Sequence, residues 1–302
     1  MSLRDSKRVS IDLVGGIGNQ LFIYFAGYYL CDISKSQLNI KAHSLHNRNE
    51  NIVEILKLPH HKMKKTNFTK GRFISKVSTK LLQIWSAHTF LRTPRTFHAN
   101  ELGFEPSLQF QKPPIKVFGY FQTYKYFEAH RELFCKYFNQ FVFVSKEASK
   151  MSIEIENESV LMVHIRLGDY LKPENRYFGS LDEKYYVKAI KRATSSNNFS
   201  KILVISDDVY SAKKLFLIIE NQGLPVVWFE NQSIKTSAEL MMLMRNCKGF
   251  VIANSTFSWW IANLSKDPKI VVAPYPWFKD SKTPDSLYPV DWVKVDSNWR
   301  EF

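Results

Sequence analysis

A parallel α/β fold is predicted by three observations. From residue 160 onward, strand-like and helix-like segments alternate about every 20 to 25 residues, the rhythm of strand–helix units that build a parallel sheet with helices on both faces. Val160-Leu161-Met162-Val163 is an apolar run of strand length that ends in His164 and Arg166, which share a face because side chains repeat every two residues along a strand. Near the start, Arg8 to Val14 alternates apolar and polar residues, Gly15-Gly16-Ile17-Gly18-Asn19-Gln20 follows, and Leu21 to Cys31 is a helix length of apolar residues. That is a strand, a glycine turn and a buried helix.

With 302 residues, 45% of them hydrophobic, the chain can fill two cores. The polar interval Ser145 to Ser159 divides it into domains at 1–155 and 156–302, the last residues packing back on the first. No apolar run approaches the roughly 20 residues of a membrane span. Met1 to Arg8 lead into a strand with no signal-peptide core, so a cytoplasmic location is expected. Cys31, Cys135 and Cys247 sit in apolar helical patterns without a C-x-x-C pair and read as reduced core residues. The net charge of +14 and pI near 9.5 call for anionic partners, a class that covers nucleic acid, acidic membrane surface and phosphorylated small molecules.

Taken in order, Gln37 to Ala42 reads as a second strand. Lys57 to Arg95 is basic, and within it Phe73 to Trp85 has the period of an amphipathic helix with a cationic side. Such a helix either lies on an anionic membrane or forms the solvated face of an ordinary domain. His60-His61 lacks a third ligand at metal spacing and reads as surface. Lys116 to Gln122 is a strand, after which Thr123 caps a helix reaching about Phe138. Ser180-Leu181-Asp182-Glu183 has capping-box spacing and starts a helix to about Thr194. Strands follow at Lys201–Ser206, Pro225–Phe229, Phe250–Ala253 and Lys269–Pro274, separated by helices at Ser211–Asn221, Leu240–Cys247 and Ser258–Leu264.

In such sheets ligands bind beyond the carboxyl ends of the strands. His164 to Asp169, Asp207-Asp208 and Asn254 to Ser258 all fall there. The planar donor fork of Arg166 suits a diphosphate, and Asp169 could accept a proton; alternatively the two lock a turn. Asn254, Ser255, Thr256 and Ser258 precede or begin a helix, where hydroxyls and N–H groups converge on its positive end. A simple cap would account for one or two of them. Asp207-Asp208 lacks D-x-D spacing, and a diphosphate neutralised by Arg166 and the 254–258 turn needs no metal. Glu239 is either the N3 member of a capping box or an acceptor for the N–H edge of a guanine. Glycines in the first turn let backbone approach a ligand and leave helix N–H groups for an anion or sugar hydroxyl; a tight turn needing positive φ is the other reading.

Five segments together resemble a known family. Gly15-Gly16-Ile17-Gly18-Asn19-Gln20-Leu21-Phe22, Gly119-Tyr120-Phe121-Gln122-Thr123-Tyr124-Lys125-Tyr126-Phe127, His164-Ile165-Arg166-Leu167-Gly168-Asp169-Tyr170, Ile205-Ser206-Asp207-Asp208 and Ala253-Asn254-Ser255-Thr256-Phe257-Ser258-Trp259-Trp260 are similar, in order, to the motifs of the α-1,2-fucosyltransferases (glycosyltransferase family 11-like). The resemblance spans residues 11 to 278 and implies a metal-independent, inverting enzyme of GT-B-like architecture, with two Rossmann-like domains facing a cleft. It implies further that Arg166 contacts the diphosphate, that Asn254 to Ser258, including Phe257, help bind it, and that Gly16, Gly18, Asn19 and Gln20 face the sugar and acceptor. His164, Asp207 and Glu239 complete the expected donor side, with Asp169 as the base. Two positions depart from the pattern: Leu167 stands where the family usually has a second arginine, and Ile261 where it usually has a small residue.

What the resemblance implies is transfer of L-fucose from GDP-β-L-fucose to a galactose-type hydroxyl in α-1,2 linkage, in surface-glycan synthesis of the O-antigen or lipopolysaccharide kind. The expected partners are a GDP-sugar and a glycan acceptor, with no cofactor, no metal and no nucleic acid, and with peripheral attachment to the inner face of an anionic membrane as an addition. A related transferase using another GDP-sugar or linkage is the neighbouring alternative. A basic nucleic-acid-binding protein without catalysis is the alternative of another class, although no aromatic-basic recognition motif is present.

Overall fold

The computed structural model describes residues 7–41, 51–52, 95–139, 145–171, 177–215, 217–221, 223–230, 234 and 236–301. The His60-His61 pair and the amphipathic segment Phe73 to Trp85 lie outside the described residues, as does most of the basic stretch that contains them.

Two all-parallel sheets organise the chain. The first contains β1 (Arg8–Asp12), β2 (Gln37–Lys41), β3 (Arg95–His98) and β4 (Ile115–Phe118), in the order β2-β1-β4-β3. The second contains β5 (Val160–Ile165), β6 (Lys201–Ser206), β7 (Val226–Trp228), β8 (Gly249–Val251), β9 (Ile270–Tyr275) and β10 (Val293–Asp296), in the order β10-β9-β8-β5-β6-β7. Counted from β5, that is the 3-2-1-4-5-6 order of a Rossmann sheet, with its switch point between β5 and β8. The first sheet has the corresponding reversal between β1 and β4. Both reversals open on one cleft, the two-domain, GT-B-like arrangement that the motifs predict. β5 is buried at every position because β6 and β8 flank it and helices cover its faces, which is why its sequence shows no alternation.

Several elements differ from the periodicity reading. Helix α1 (Ile17–Ser34) begins four residues earlier than its apolar run, because Gly16 is already its N-cap and only Gly15 takes the positive φ of the turn. The helix expected from Thr123 to Phe138 is two: α2 (Lys125–Glu128) and α3 (Arg131–Asn139). Thr123 spends its hydroxyl proton on the Ser286 carbonyl at 2.9 Å and accepts only weakly from the Lys125 N–H at 3.3 Å. The polar interval from Ser145 is itself a helix, α4 (Lys146–Asn157), with Ser145 accepting from the Ala148 N–H. Asp182, and not Ser180, caps α5 (Glu183–Thr194), its carboxylate accepting from the Tyr185 N–H. Ser180 is instead fully buried. α6 (Val209–Leu215) gives way to a 3-10 turn at Leu217–Asn221, and α7 (Ser237–Met244) and α8 (Thr256–Asn263) begin at their caps Thr236 and Ser255. β3 and β10 were not anticipated.

The halves are joined through α1 and α8. Trp259 and Trp260 of α8 are fully buried, and their rings pack on Phe22, Phe25 and Phe127 of the first half. The Trp260 indole N–H donates to the Gly18 carbonyl at 2.9 Å, and the Trp259 indole to the Leu287 carbonyl at 2.8 Å. Gly18 permits this approach, since a Cβ there would lie 2.5 Å from the Thr256 carbonyl carbon. The chain's return at 283–288 adds three hydrogen bonds that Ser286 accepts, from the Phe104 N–H, the Thr123 hydroxyl and the Tyr124 N–H. Ile261 is completely buried among this packing, in keeping with a bulky residue there. Cys31 and Cys247 are buried, Cys135 half-buried, and none is disulfide-bonded.

Candidate active site

The cleft holds about 480 Å³, within the range of small-molecule sites. Its first wall comes from the turn after β1, Gly15 to Asn19, and from Gln122 after β4. Its second wall comes from the ends of β5, β6 and β8, with Trp277 and Phe278 closing one side. Both walls are strand ends at a switch point, so the same topological rule places each.

Arg166 lies immediately beyond β5, and its guanidinium Nη1 is 2.9 Å from Asp207 Oδ2. Asp207 Oδ1 accepts from the Leu167 N–H at 2.9 Å, so one carboxylate fixes both the arginine and the backbone that carries it. The Arg166 guanidinium also lies 5.3 Å from the centre of the Tyr170 ring, and Tyr170 donates its hydroxyl proton to the Asn254 carbonyl at 3.1 Å. This restraint matters because a fork already oriented loses less freedom when it meets an anion. The neighbouring Asp208 is engaged elsewhere. It accepts from both the N–H and the hydroxyl of Ser211, capping α6, and those bonds hold its carboxyl below the usual range.

Helices α1 and α8 both present their N-termini to the cleft. Each begins without a side-chain cap and without an acidic residue in its first turn, leaving its positive end for a ligand. Three cleft-lining side chains carry a buried polar atom with no hydrogen-bond partner among the described residues: Gln122 Oε1, His164 Nδ1 and Asn254 Oδ1. Such atoms are costly in a core and commonly mark a binding surface. His164 is neutral, its pKa pushed down to about 3 by burial first and by the neighbouring Arg166 second. It packs against the Phe257 ring at 5.8 Å.

The expected site residues separate into two groups. Arg166, His164, Asp207, Asn254, Ser255, Thr256, Phe257, Gly16, Gly18 and Asn19 line the cleft. Gln20, Ser258 and Glu239 are not among its lining residues, each for a specific reason. Gln20 is completely buried, donating to the Gly15 carbonyl at 3.0 Å and accepting from the Ile52 N–H at 3.2 Å. Ser258 turns its hydroxyl back to the Ser255 carbonyl at 3.2 Å. Glu239 donates its N–H to the Thr236 hydroxyl, one half of a capping box, and its carboxylate accepts from the Ser145 hydroxyl. Asn254 is divided: its amide N–H groups donate to the Phe178 and Gly179 carbonyls at 3.0 and 3.1 Å, and only its oxygen remains unpartnered. The Asp169 backbone lies in the 3-10 turn Gly168–Leu171, and its side chain lies outside the described residues.

Gln122, Tyr170, Phe178, Trp277 and Phe278 line the cleft without having been anticipated. Gln122 donates to Asn19 Oδ1 at 3.2 Å and so couples the two loops of the first wall. Its position, just past β4 in a glycine-led segment, was the available signal. Among the described residues no three of His, Cys, Asp and Glu are grouped as a metal site, and no helix there is long and apolar enough to cross a membrane.

A restrained arginine and two helix N-termini lining one cleft between paired Rossmann-like sheets define a class: an enzyme whose cleft suits an anionic ligand. The profile described as Glycosyl transferase family 11 matches residues 8–296. The chain belongs to that family and is a glycosyltransferase. It is 27% identical over 300 residues to an Escherichia coli alpha-1,2-colitosyltransferase, covering 94% of this chain and 97% of that protein. It is 32% identical over 173 residues to the O-antigen biosynthesis glycosyltransferase WbnK of Escherichia coli, covering 54% and 55%. Among solved structures, NodZ alpha-1,6-fucosyltransferase soaked with GDP-fucose aligns with a TM-score of 0.48 at 13% identity, over 86% of this chain and 92% of that one.

Proposed function

We propose that the protein transfers L-fucose from GDP-β-L-fucose to the 2-hydroxyl of a galactose-type acceptor with inversion, in O-antigen-like glycan synthesis. The observation that carries the donor side is Arg166, pinned by Asp207 beside the open N-terminus of α8. In the reaction the acceptor oxygen forms a bond to the sugar C1 as the bond from C1 to the diphosphate oxygen breaks. The acceptor proton passes to a base, for which Asp169 is the assignment. The charge that develops on the leaving GDP falls on the Arg166 fork and the N–H groups of α8. Asn19, Gln122 and the α1 N-terminus position the acceptor hydroxyl. With the diphosphate neutralised in this way the reaction is metal-independent. The enzyme works in the cytoplasm, attached to the inner face of the membrane by the basic stretch from Lys57 to Arg95.

A second reading has a specific observation behind it. The relative aligned over nearly its whole length carries the name colitosyltransferase, and colitose is L-fucose lacking one ring hydroxyl. Leu167, where the resemblance has a second arginine, is fully buried in the core and does not line the cleft, so donor choice rests with the residues that do. One experiment covers both readings: purified enzyme, a β-galactoside, EDTA, and GDP-fucose, GDP-colitose or GDP-mannose in parallel, with the product linkage read by NMR. An α-1,2-fucosyl product supports the leading reading, and preference for GDP-colitose replaces it with the second. Two control arms, one with UDP-galactose and one with Mg²⁺ in place of EDTA, complete the set, and transfer in those arms alone would overturn both.

A further inference from the structure

Beyond the cleft, on the far side of the Gly119–Gln122 segment, lies a second depression of about 330 Å³, whose walls include Ala99, Asn100, Glu101, Gly119, Tyr120 and Lys282. We propose that it is an outer acceptor subsite, holding the second sugar of a glycan whose terminal residue is glycosylated in the cleft. The proposal rests on the reading of the protein as a galactoside glycosyltransferase.

The two spaces share two stretches of chain. Gln122 lines the cleft and Tyr120 the depression, and residues two apart are separated by at most about 7 Å. Trp277 and Phe278 line the cleft, and the same segment continues to Ser281, Lys282 and Pro284 at the depression. The spacing of these shared stretches suits one oligosaccharide that spans both. The depression is built for a polyol. Tyr120 is 41% exposed and offers an aromatic face with a hydroxyl at its tip, the amphipathic surface on which a sugar ring stacks. Asn100 adds an amide, and Glu101 and Lys282 add a carboxylate and an ammonium 3.8 Å apart. Both are well exposed, so their pair is weak and readily exchanged for sugar hydroxyls. The rim is fixed beforehand, because buried Glu105 accepts the Asn100 and Glu101 N–H groups at 2.6 and 2.8 Å.

The backbone beside the depression is close-packed and fixed. Gly119 has φ +154°, and a Cβ there would lie 2.5 Å from the Ala99 Cβ, so only glycine fits against Ala99 and the Phe121 ring. Phe121, a non-glycine residue, takes φ +50° between Tyr120 and Gln122. Strain of that kind persists where the surrounding structure imposes it, and it clusters at ligand sites.

The test compares methyl β-galactoside with lactose and a galactosyl-N-acetylhexosamine as acceptors, using wild type, Tyr120→Ala and Tyr120→Phe. Wild type is expected to favour at least one disaccharide over the monosaccharide in kcat/KM. Tyr120→Ala should shrink that preference about tenfold, through the disaccharide KM and not kcat, and Tyr120→Phe should restore most of it. The proposal is overturned if wild type uses the monosaccharide equally well, or if Tyr120→Ala lowers all acceptors in the same proportion. If wild type glycosylates none of the three, the galactoside reading fails and takes the subsite with it, a result distinct from either of those.

Discussion

Arg166 and Asp207, 41 residues apart in the chain, meet at 2.9 Å where β5 and β6 end, and the second oxygen of Asp207 accepts the Leu167 N–H at the same distance. Parallel register sets this meeting: Ile165 pairs with Ser206, so the next residue on each strand emerges side by side. The carboxylate thereby lowers the net charge of the site while fixing the direction of the guanidinium. Gly168 completes the arrangement, since a Cβ there would come within 2.1 Å of Asp207 Oδ2.

Arg166→Ala should lower kcat by about a hundredfold or more, on the order of 3 kcal/mol of leaving-group stabilisation, and Arg166→Lys should recover little of it. Asp207→Asn should cost on the order of tenfold, because the arginine remains but loses its orientation. Steady-state kinetics on the single and double variants check this. Effects that simply multiply in the double variant would mean the two residues do not act as a unit.

Gly18→Ala should destabilise the fold by about 1–3 kcal/mol, because its Cβ would press on the Thr256 backbone and separate α1 from α8. Gly16→Ala, with φ −68° and no described residue within 4 Å of the new methyl, should leave the melting temperature nearly unchanged. Thermal unfolding of the two variants distinguishes glycine as a packing requirement from glycine as open space.

Stability should fall as the solution is acidified from pH 6.5 toward 3. In that window the unfolded chain protonates His164 at its ordinary value of 6.5, while the folded chain holds it neutral down to about 3. Protons therefore favour the unfolded state. His164→Gln should make the decline of melting temperature between pH 7 and 5 shallower; an unaltered slope would remove His164 as its source.

Gln20→Ala should act on stability, at about 1–3 kcal/mol, because it strands the Ile52 N–H and the Gly15 carbonyl. Asn19→Ala should act on the acceptor KM, since Asn19 lines the cleft and aligns Gln122. Melting temperatures and acceptor kinetics measured on both variants should show opposite patterns.

The general form of the protein was legible in the sequence. Hydrophobic period, glycine turns and capping residues are local signals, and they located β1, β5, β6 and β8 within a residue or two of their ends. Because parallel strands all point the same way, locating their ends was enough to put Arg166, Asp207 and Asn254 on one edge and Gly15 to Asn19 on another. Helix starts were read late where the cap is a glycine or serine ahead of the apolar run, as at Gly16 and Ser255.

Which polar atoms face the ligand was decided only by the tertiary structure. Gln20, Ser258 and Glu239 sit in motifs beside true cleft residues, yet their side chains are taken up by backbone groups or by a hydroxyl from another element. Gln122, Trp277 and Phe278 reach the cleft through packing that no local period announces. Trp260 meets Gly18 across 242 residues, and Gln122 meets Asn19 across 103. Periodicity tells a residue which face of its own element it occupies, and strand direction tells it which end. The partner that satisfies its last hydrogen bond comes from elsewhere in the chain, and only the assembled fold selects it.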